Sequence, residues 1–210
     1  MAPGADALYI LGDLFEYWVG DDGLGMPFPA TIARSLTGAA ARMPVRFMHG
    51  NRDFLVAHAF AESTGIELIQ DPTLVDLYGT RTVLMHGDTL CTDDVQYQQT
   101  RKQMRNPAWQ AAVLTRPIAE RVAIAQGMRA QSEATKAGKD MDIMDVSQSA
   151  VEQAFRDCAC DVMIHGHTHR PARHEYTVDG RKRVRWVLPD WYEAGGYLEA
   201  TAQGIRALPA

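Results

Sequence analysis

Four segments of the chain share one design, a short apolar run that leads into glycine and into polar residues of metal-binding type. The apolar runs cover residues 7–11, 45–48, 82–85 and 161–164. They lead, in order, into Gly12-Asp13, His49-Gly50-Asn51-Arg52-Asp53, His86-Gly87-Asp88 and His165-Gly166-His167-Thr168-His169. Short apolar runs of this kind predict strands that are buried on both faces. In α/β folds, sites form beyond the carboxyl ends of such strands, so we expect the polar groups to converge there.

The segments between these runs carry weaker signals of helices and further strands. Residues 28–43 predict a helix, and residues 57–64 predict a short helix that ends at Gly65. Residues 74–85 have the pattern of a hairpin that turns at Gly79-Thr80. Residues 183–188 and 196–201 predict two more strands near the end of the chain.

Residues 93–156 differ from the rest in being rich in Ala, Gln, Met and Arg at helical spacing, with breaks at Pro107 and Pro117. They predict a helical cap inserted into a core made of residues 1–92 and 157–210. The basic residues of the cap include Arg101, Lys102, Arg105, Arg116, Arg121, Arg129, Lys136 and Lys139. We expect most of them to lie on solvated helix faces.

Composition restricts the partners and the compartment. The chain has 210 residues, 46% of them hydrophobic, and a formal net charge of −5, which does not favour nucleic acid as a partner. No signal peptide or run of membrane-spanning length is evident, so any membrane contact is expected to be peripheral. Three cysteines predict a reducing compartment, and for Cys158 and Cys160 we favour packing over a metal or redox pair.

The candidate ligands combine carboxylate, amide and imidazole groups, which suit divalent Mn, Fe, Co, Ni or Zn. They are Asp13, Asn51, His86, His167 and His169. Each of these residues taken alone has an ordinary structural explanation, and it is the combination that indicates a metal site. We expect structural roles for His49, His58 and His174, whereas His165 fits either packing or a role behind the metal ligands.

The four motifs resemble those of the calcineurin-like metallophosphoesterases. That resemblance implies an α/β (α+β) fold, a layered β-sandwich flanked by helices, with a two-metal centre. Finer spellings are similar to the UDP-2,3-diacylglucosamine diphosphatases of lipid A biosynthesis. They are residues 11–16, 49–54, 85–94, 143–146 and 164–171, and the likeness extends through the cap.

The resemblance also implies roles for individual residues. Asp13 would bridge two Mn²⁺ ions, with Asn51, His86 and His167 completing one metal shell and His169 serving the other. Arg52 would grip a phosphate, and Asn51 would also contact the substrate. The headgroup would be held by Asp94, Arg129, Ser132, Lys139 and His167. The implied reaction is attack of water on the α-phosphorus of UDP-2,3-diacylglucosamine at the cytoplasmic face of the inner membrane.

One family motif is not found in the sequence. The family series begins with Asp-x-His at the end of a first strand, and no Asp-x-His occurs in this chain. We therefore expect one strand-helix unit, roughly 30 residues, to be missing before Met1, and one metal site to be depleted of ligands. Two alternatives stay open: another phosphoesterase that acts on a soluble nucleotide, and a truncated, non-catalytic remnant that binds metal or lipid.

Overall fold

A computed structural model describes residues 4–136, 143–192 and 195–210. The described residues fall into two compact units. Unit 1 draws on Met1–Gln70 and Val95–Asp140, and unit 2 on Asp71–Asp94 and Met141–Ala210.

The first part of unit 1 alternates strands and helices and forms a parallel three-stranded sheet in the order β1-β2-β3. Its elements are β1 (Leu8–Ile10), α1 (Pro27–Ala40), β2 (Val45–Met48), α2 (His58–Thr64) and β3 (Glu67–Ile69). Proline at the start of α1 fits the first helical turn, where its missing N–H leaves no bond unmade. Gly65, at φ +73°, ends α2 in the left-handed conformation, as predicted.

The core of this part is aromatic. Phe15, Trp18, Phe47 and Phe60 are buried within it, and the rings of Phe15 and Trp18 lie 4.6 Å apart. β2 is largely buried as expected, but the residues of β1 are only half-buried. The prediction of full burial is therefore wrong for β1, because it is an edge strand of the described sheet.

The next two strands open unit 2 and form the predicted hairpin. They are β4 (Thr73–Leu77) and β5 (Thr80–Met85), which pair antiparallel with Leu77 opposite Thr80. The two loop residues, Tyr78 and Gly79, both have positive φ, as a tight turn between twisted strands requires. The turn therefore lies one residue earlier than Gly79-Thr80.

Three helices of the predicted cap group with unit 1. They are α3 (Val95–Met104), α4 (Pro107–Leu114) and α5 (Ile118–Lys136). Both prolines lie at helix starts, which confirms the predicted breaks. The expectation of solvated basic residues is wrong for Arg121, which is only 4% exposed because it reaches the backbone carbonyl of Val19 and the carboxylate of Asp22.

Unit 2 is completed by one helix and five strands. They are α6 (Gln148–Cys158), β6 (Val162–His165), β7 (Ala172–Val178), β8 (Arg181–Val187), β9 (Tyr197–Thr201) and β10 (Gly204–Leu208). A mixed sheet in the order β4-β5-β6-β8-β7 has β6 at its centre, and β9 and β10 form a separate hairpin. All four residues of β6 are buried, as predicted.

The secondary structure thus has the α/β character that the sequence predicts. The layered arrangement of the sheets and the division into a core and a cap at residues 93–156 stay predictions. Among the described residues, no helix is both long enough and apolar enough to cross a membrane.

Candidate metal centre

Strand register explains why two of the predicted ligands lie at one edge of the sheet in unit 1. β1 and β2 run parallel, with Ile10 opposite Phe47, so Asp13 and Asn51 both follow the carboxyl ends of neighbouring strands. The two loops touch at Gly50, where an added Cβ would lie 2.9 Å from Asp13 Cγ and would collide with Asp13 Oδ1. Only glycine permits this approach, so the motif is needed for the loops to meet.

The carboxylate of Asp13 faces Arg52. The backbone N–H of Arg52 donates to Asp13 Oδ1 at 3.0 Å, and the guanidinium Nε lies 3.4 Å from Oδ2. Glu16 then holds two arginines, with Arg52 Nη1 at 3.0 Å and Arg129 Nη2 at 2.7 Å. Two of the residues predicted to contact phosphate, Arg52 and Arg129, therefore share one carboxylate that sequence reasoning did not single out.

Asp53 links the loop after β1 to the loop after β2 through hydrogen bonds. Its side chain is fully buried and accepts hydrogen bonds from the backbone N–H groups of Leu14 and Gly50, each at 2.7 Å. A buried carboxylate with several backbone donors is well satisfied and fixes the chain that surrounds it. The sequence motif contains Asp53, but its position alone did not reveal this role.

The cap helix α3 also supports the loop that carries Asn51. Arg105 donates to the backbone carbonyl of Gly50 at 2.9 Å and lies over the ring of Phe54 at 5.6 Å. Arg105 is thus another basic residue that does more than solvate a helix.

In unit 2, His86 and His167 are brought together by the central strands. β5 and β6 run parallel with Met85 opposite His165, so both histidines follow the same edge of the sheet. Their ring centroids lie 5.1 Å apart, and each offers a ring nitrogen within 4.8 Å of the other. His86 is 1% exposed, and its backbone carbonyl accepts from the N–H of Gly166 at 2.9 Å.

His165 lies behind this pair. Its position favours a role behind the candidate metal ligands over simple packing. It is fully buried; its Nδ1 lies 2.8 Å from the Gly166 carbonyl oxygen, and its Nε2 lies 2.9 Å from Arg185 Nη1. A carbonyl only accepts and a guanidinium only donates, so the proton resides on Nδ1. Burial lowers the pKa of His165 to about 4, which keeps the ring neutral.

His169 faces a carboxylate that the sequence motifs do not include. Its Nδ1 lies 3.7 Å from Asp190 Oδ2, and its ring stacks on Tyr192 at a centroid distance of 6.3 Å. Asp190 follows β8 in the same way that the other candidate ligands follow their strands. This position after a strand is the sequence signal that could have identified Asp190.

The predicted substrate residues are distributed over both units. Arg129 and Ser132 lie on α5, three residues apart and thus on one side of the helix, while Asp94 is 9% exposed and precedes α3. Lys139 lies outside the described residues. His49 and His58 have local partners, the Val56 carbonyl and Glu62, as expected of structural histidines.

Three of the five candidate ligands also have an unusual backbone conformation. Asp13, His167 and His169 have φ values of +55°, +65° and +53°. Such values are uncommon outside glycine, and where no tight turn explains them they mark constrained sites. Elsewhere in the described chain, positive φ at non-glycine residues falls at hairpin turns and at the end of α6.

The donor sets fit a divalent transition metal. Unit 2 offers two imidazoles whose nitrogens are close enough to share an ion, and unit 1 offers a carboxylate beside an amide. Among the described residues, no cysteine belongs to a cluster of candidate metal ligands. All three cysteines are free thiols, and burial raises the pKa of Cys91 to about 12 and that of Cys160 to about 11.

The amino-acid sequence matches a family pattern and several known enzymes. The pattern of the calcineurin-like phosphoesterases matches residues 2–171. A UDP-2,3-diacylglucosamine hydrolase of Bordetella pertussis is 48% identical over 98% of this chain and 83% of its own length. Enzymes of the same name from Chromobacterium violaceum and Xanthomonas campestris are each 49% identical over 97% of this chain, covering 84% and 85% of their own lengths.

Solved structures give weaker similarities. An archaeal phosphodiesterase is 12% identical, with a TM-score of 0.44 over 90% of this chain and 79% of its own. Vps29 of Entamoeba histolytica is also 12% identical, with a TM-score of 0.39 over 97% of each chain. At these scores the structural overlaps do not bear on function.

Proposed function

Because the chain belongs to the calcineurin-like phosphoesterase family, and within it to the UDP-2,3-diacylglucosamine hydrolases, we propose that it cleaves UDP-2,3-diacylglucosamine. Hydrolysis of the pyrophosphate bond gives UMP and 2,3-diacylglucosamine 1-phosphate, a step of lipid A biosynthesis. The observation that carries this proposal is identity of 48–49% over 97–98% of the chain. That span includes the helical segment, so the likeness is not confined to the strand-end motifs.

In the proposed centre, Asp13 and Asn51 act with His86 and His167 as ligands of one divalent ion, and His169 serves a second. Mn²⁺ is the expected metal. A bound divalent ion supplies Lewis acidity, which lowers the pKa of water and neutralises charge that develops on the phosphate. The buried network of His165 and Arg185 supports this assignment, since imidazole ligands are typically oriented by such neighbours.

Arg52 and Arg129 are the proposed phosphate contacts. Guanidinium groups bind phosphate oxygens through paired donors, and Glu16 holds both arginines in place. A phosphate that approaches Arg52 competes with Glu16 and Asp13 for the guanidinium N–H groups. Substrate binding therefore replaces carboxylate oxygens with phosphate oxygens as the acceptors of Arg52.

The cap is the proposed site for the acyl chains, with Asp94, Ser132 and Lys139 beside the headgroup. A substrate with two acyl chains needs apolar surface, at about 0.8 kcal/mol per buried methylene. We further propose peripheral attachment to the cytoplasmic face of the inner membrane, which basic residues on the cap would favour.

The test is hydrolysis of UDP-2,3-diacylglucosamine by the purified chain with Mn²⁺ in ¹⁸O-labelled water. Attack at the α-phosphorus places the label in UMP, whereas attack at the β-phosphorus places it in the sugar 1-phosphate. UDP-N-acetylglucosamine serves as the comparison substrate, because it lacks long acyl chains. We expect UMP to carry the label and the diacylated substrate to have at least about a tenfold higher kcat/KM.

The variant His86→Ala should abolish this activity, whereas His58→Ala, a change at an exposed histidine paired with Glu62, should leave it intact. Equal kcat/KM for the two substrates would instead favour a phosphoesterase of soluble nucleotides. Binding of Mn²⁺ without turnover of either substrate would favour the non-catalytic alternative.

A further inference from the structure

Arg185 is a buried cation that forms no ion pair with any described residue. Its side chain is 5% exposed, and among the described residues its hydrogen bonds go to neutral groups, from Nε to the Tyr176 hydroxyl at 3.0 Å and from Nη1 to His165 Nε2 at 2.9 Å. No carboxylate of the described chain lies within ion-pair distance of it. Buried charges are costly unless they are paired, so this arrangement needs an explanation.

A cavity of about 260 Å³ lies beside Arg185, within unit 2. Its polar walls are Asp145, Arg170, His174 and Arg185, and its apolar walls include Ala172 and Val187. Two residues of the cavity lining, Pro171 and Ala172, are exposed, so the cavity borders the surface of unit 2.

The acidic group nearest the cavity is already engaged. Asp145 forms an ion pair with Arg170, although it also lies within electrostatic range of Arg185. Burial acts to raise the pKa of Asp145, but the backbone N–H of Val146 and the Arg170 guanidinium outweigh it and hold that pKa below its usual value. Asp145 is thus engaged by Arg170, and the guanidinium of Arg185 has no ion-pair partner among the described residues.

His174 adds a hydrogen-bonding group that carries no charge. Burial, and then the nearby Arg185, lower the pKa of His174, which favours the neutral ring. A neutral imidazole can donate one hydrogen bond to an oxygen beside the two guanidinium groups.

We propose that this cavity binds a small oxyanion of the phosphate class, between Arg185 and Arg170 and next to His174. The oxyanion is the counterion that the buried guanidinium lacks, and planar guanidinium groups suit tetrahedral oxyanions. The bound oxyanion is either free orthophosphate or the phosphate group of a small monoester. The site is separate from the proposed metal ligands and does not depend on the proposed reaction.

The test is calorimetric titration of the full chain with orthophosphate and with glucose 1-phosphate, in EDTA so that bound metal does not contribute. Saturable binding in the millimolar range or tighter is expected for at least one ligand. Tighter binding of orthophosphate or of the monoester then identifies the source. Absence of saturable binding of both ligands to the wild-type protein overturns the proposal.

Variants locate the binding. Ala172→Asp adds a carboxylate to the cavity lining and should weaken binding at least about tenfold, as should Arg185→Met, because the first opposes and the second removes the positive charge of Arg185. Arg206→Met is the control, since that arginine is exposed and paired with Glu199. Ala172→Asp changes an exposed residue, so the test does not depend on Arg185→Met folding. Unchanged binding in Ala172→Asp would place the phosphate elsewhere and refute the proposal.

Discussion

At the scale of single residues, the loops that carry the candidate metal ligands depend on side chains that are not themselves candidate ligands. Asp53 joins the loops after β1 and β2 through three backbone N–H groups, and His165 lies beneath the loops that carry His86 and His167. These groups act on geometry, so their loss should be visible in stability and in metal affinity.

We expect Asp53→Asn to destabilise the protein by about 2–3 kcal/mol, because an amide retains one acceptor oxygen where the carboxylate has two. Urea unfolding of the variant and the wild type measures this difference. The control Asp76→Asn alters an exposed aspartate of β4, which also accepts a backbone hydrogen bond, from Gly79, and should cost about 1 kcal/mol or less. Equal losses in the two variants would contradict a special role for Asp53.

We expect His165→Leu to lower Mn²⁺ affinity by about 10–100-fold, although His165 is not a proposed ligand, since partners behind the ligands orient them. Titration of the metal-free protein, followed by the signal of free Mn²⁺, measures the affinity. The control is His58→Leu, which removes an exposed imidazole. The prediction fails if both variants bind Mn²⁺ as the wild type does.

At the scale of helices and strands, the sequence predicted the helix boundaries that depend on residues close together in the chain. Gly65 ends α2 and Pro107 begins α4, because a left-handed residue and a missing N–H act within a few residues. The sequence analysis did not predict β7, because most of its exposed residues are polar and it therefore lacks an apolar run. The pairing of His174 with Arg185 on β8 joins two strands and has no local signal either. The hairpin turn lies one residue before the predicted position because Tyr78 adopts a positive φ. A tyrosine side chain gives no sequence signal for that conformation.

The N-terminus of α4 gives a measurable case of this local chemistry. Asn106 accepts from the backbone N–H groups of Ala108 and Trp109, so Asn106→Ala should cost about 1 kcal/mol. Asn106→Asp keeps an acceptor at the same place and should differ from the wild type by a few tenths of a kcal/mol. Thermal and urea unfolding of the three proteins compare them, and equal losses in both variants would show that capping is not the cause.

At the scale of the whole molecule, the strand-end motifs were predictable because each is contiguous in sequence, whereas buried cations were not. Arg121 meets Asp22 across 99 positions of the chain, and Arg185 meets His165 across 20. Such pairs depend on how distant segments pack, and a basic residue at helical spacing looks the same whether it is solvated or buried.

Acid unfolding should report the pair of Arg121 and Asp22. The hydrogen bond from Arg121 holds the pKa of Asp22 below its usual value, so the pair stabilises the folded state above pH 3.8 and loses this effect as pH falls through the lowered pKa. The difference in unfolding free energy between the wild type and Asp22→Asn should be constant above about pH 5 and shrink in stronger acid. A difference that grows as pH falls would refute this.

The contact at Gly50 restricts how this protein can change. A side chain there would collide with the backbone nitrogen and the carboxylate of Asp13, whose Cγ would lie only 2.9 Å from the added carbon. Relief would require the whole loop after β1 to shift, and not merely one flexible side chain. Any mutational path that alters the substrate of this scaffold must therefore pass through other positions, since codon 50 tolerates no alternative while Asp13 keeps its place.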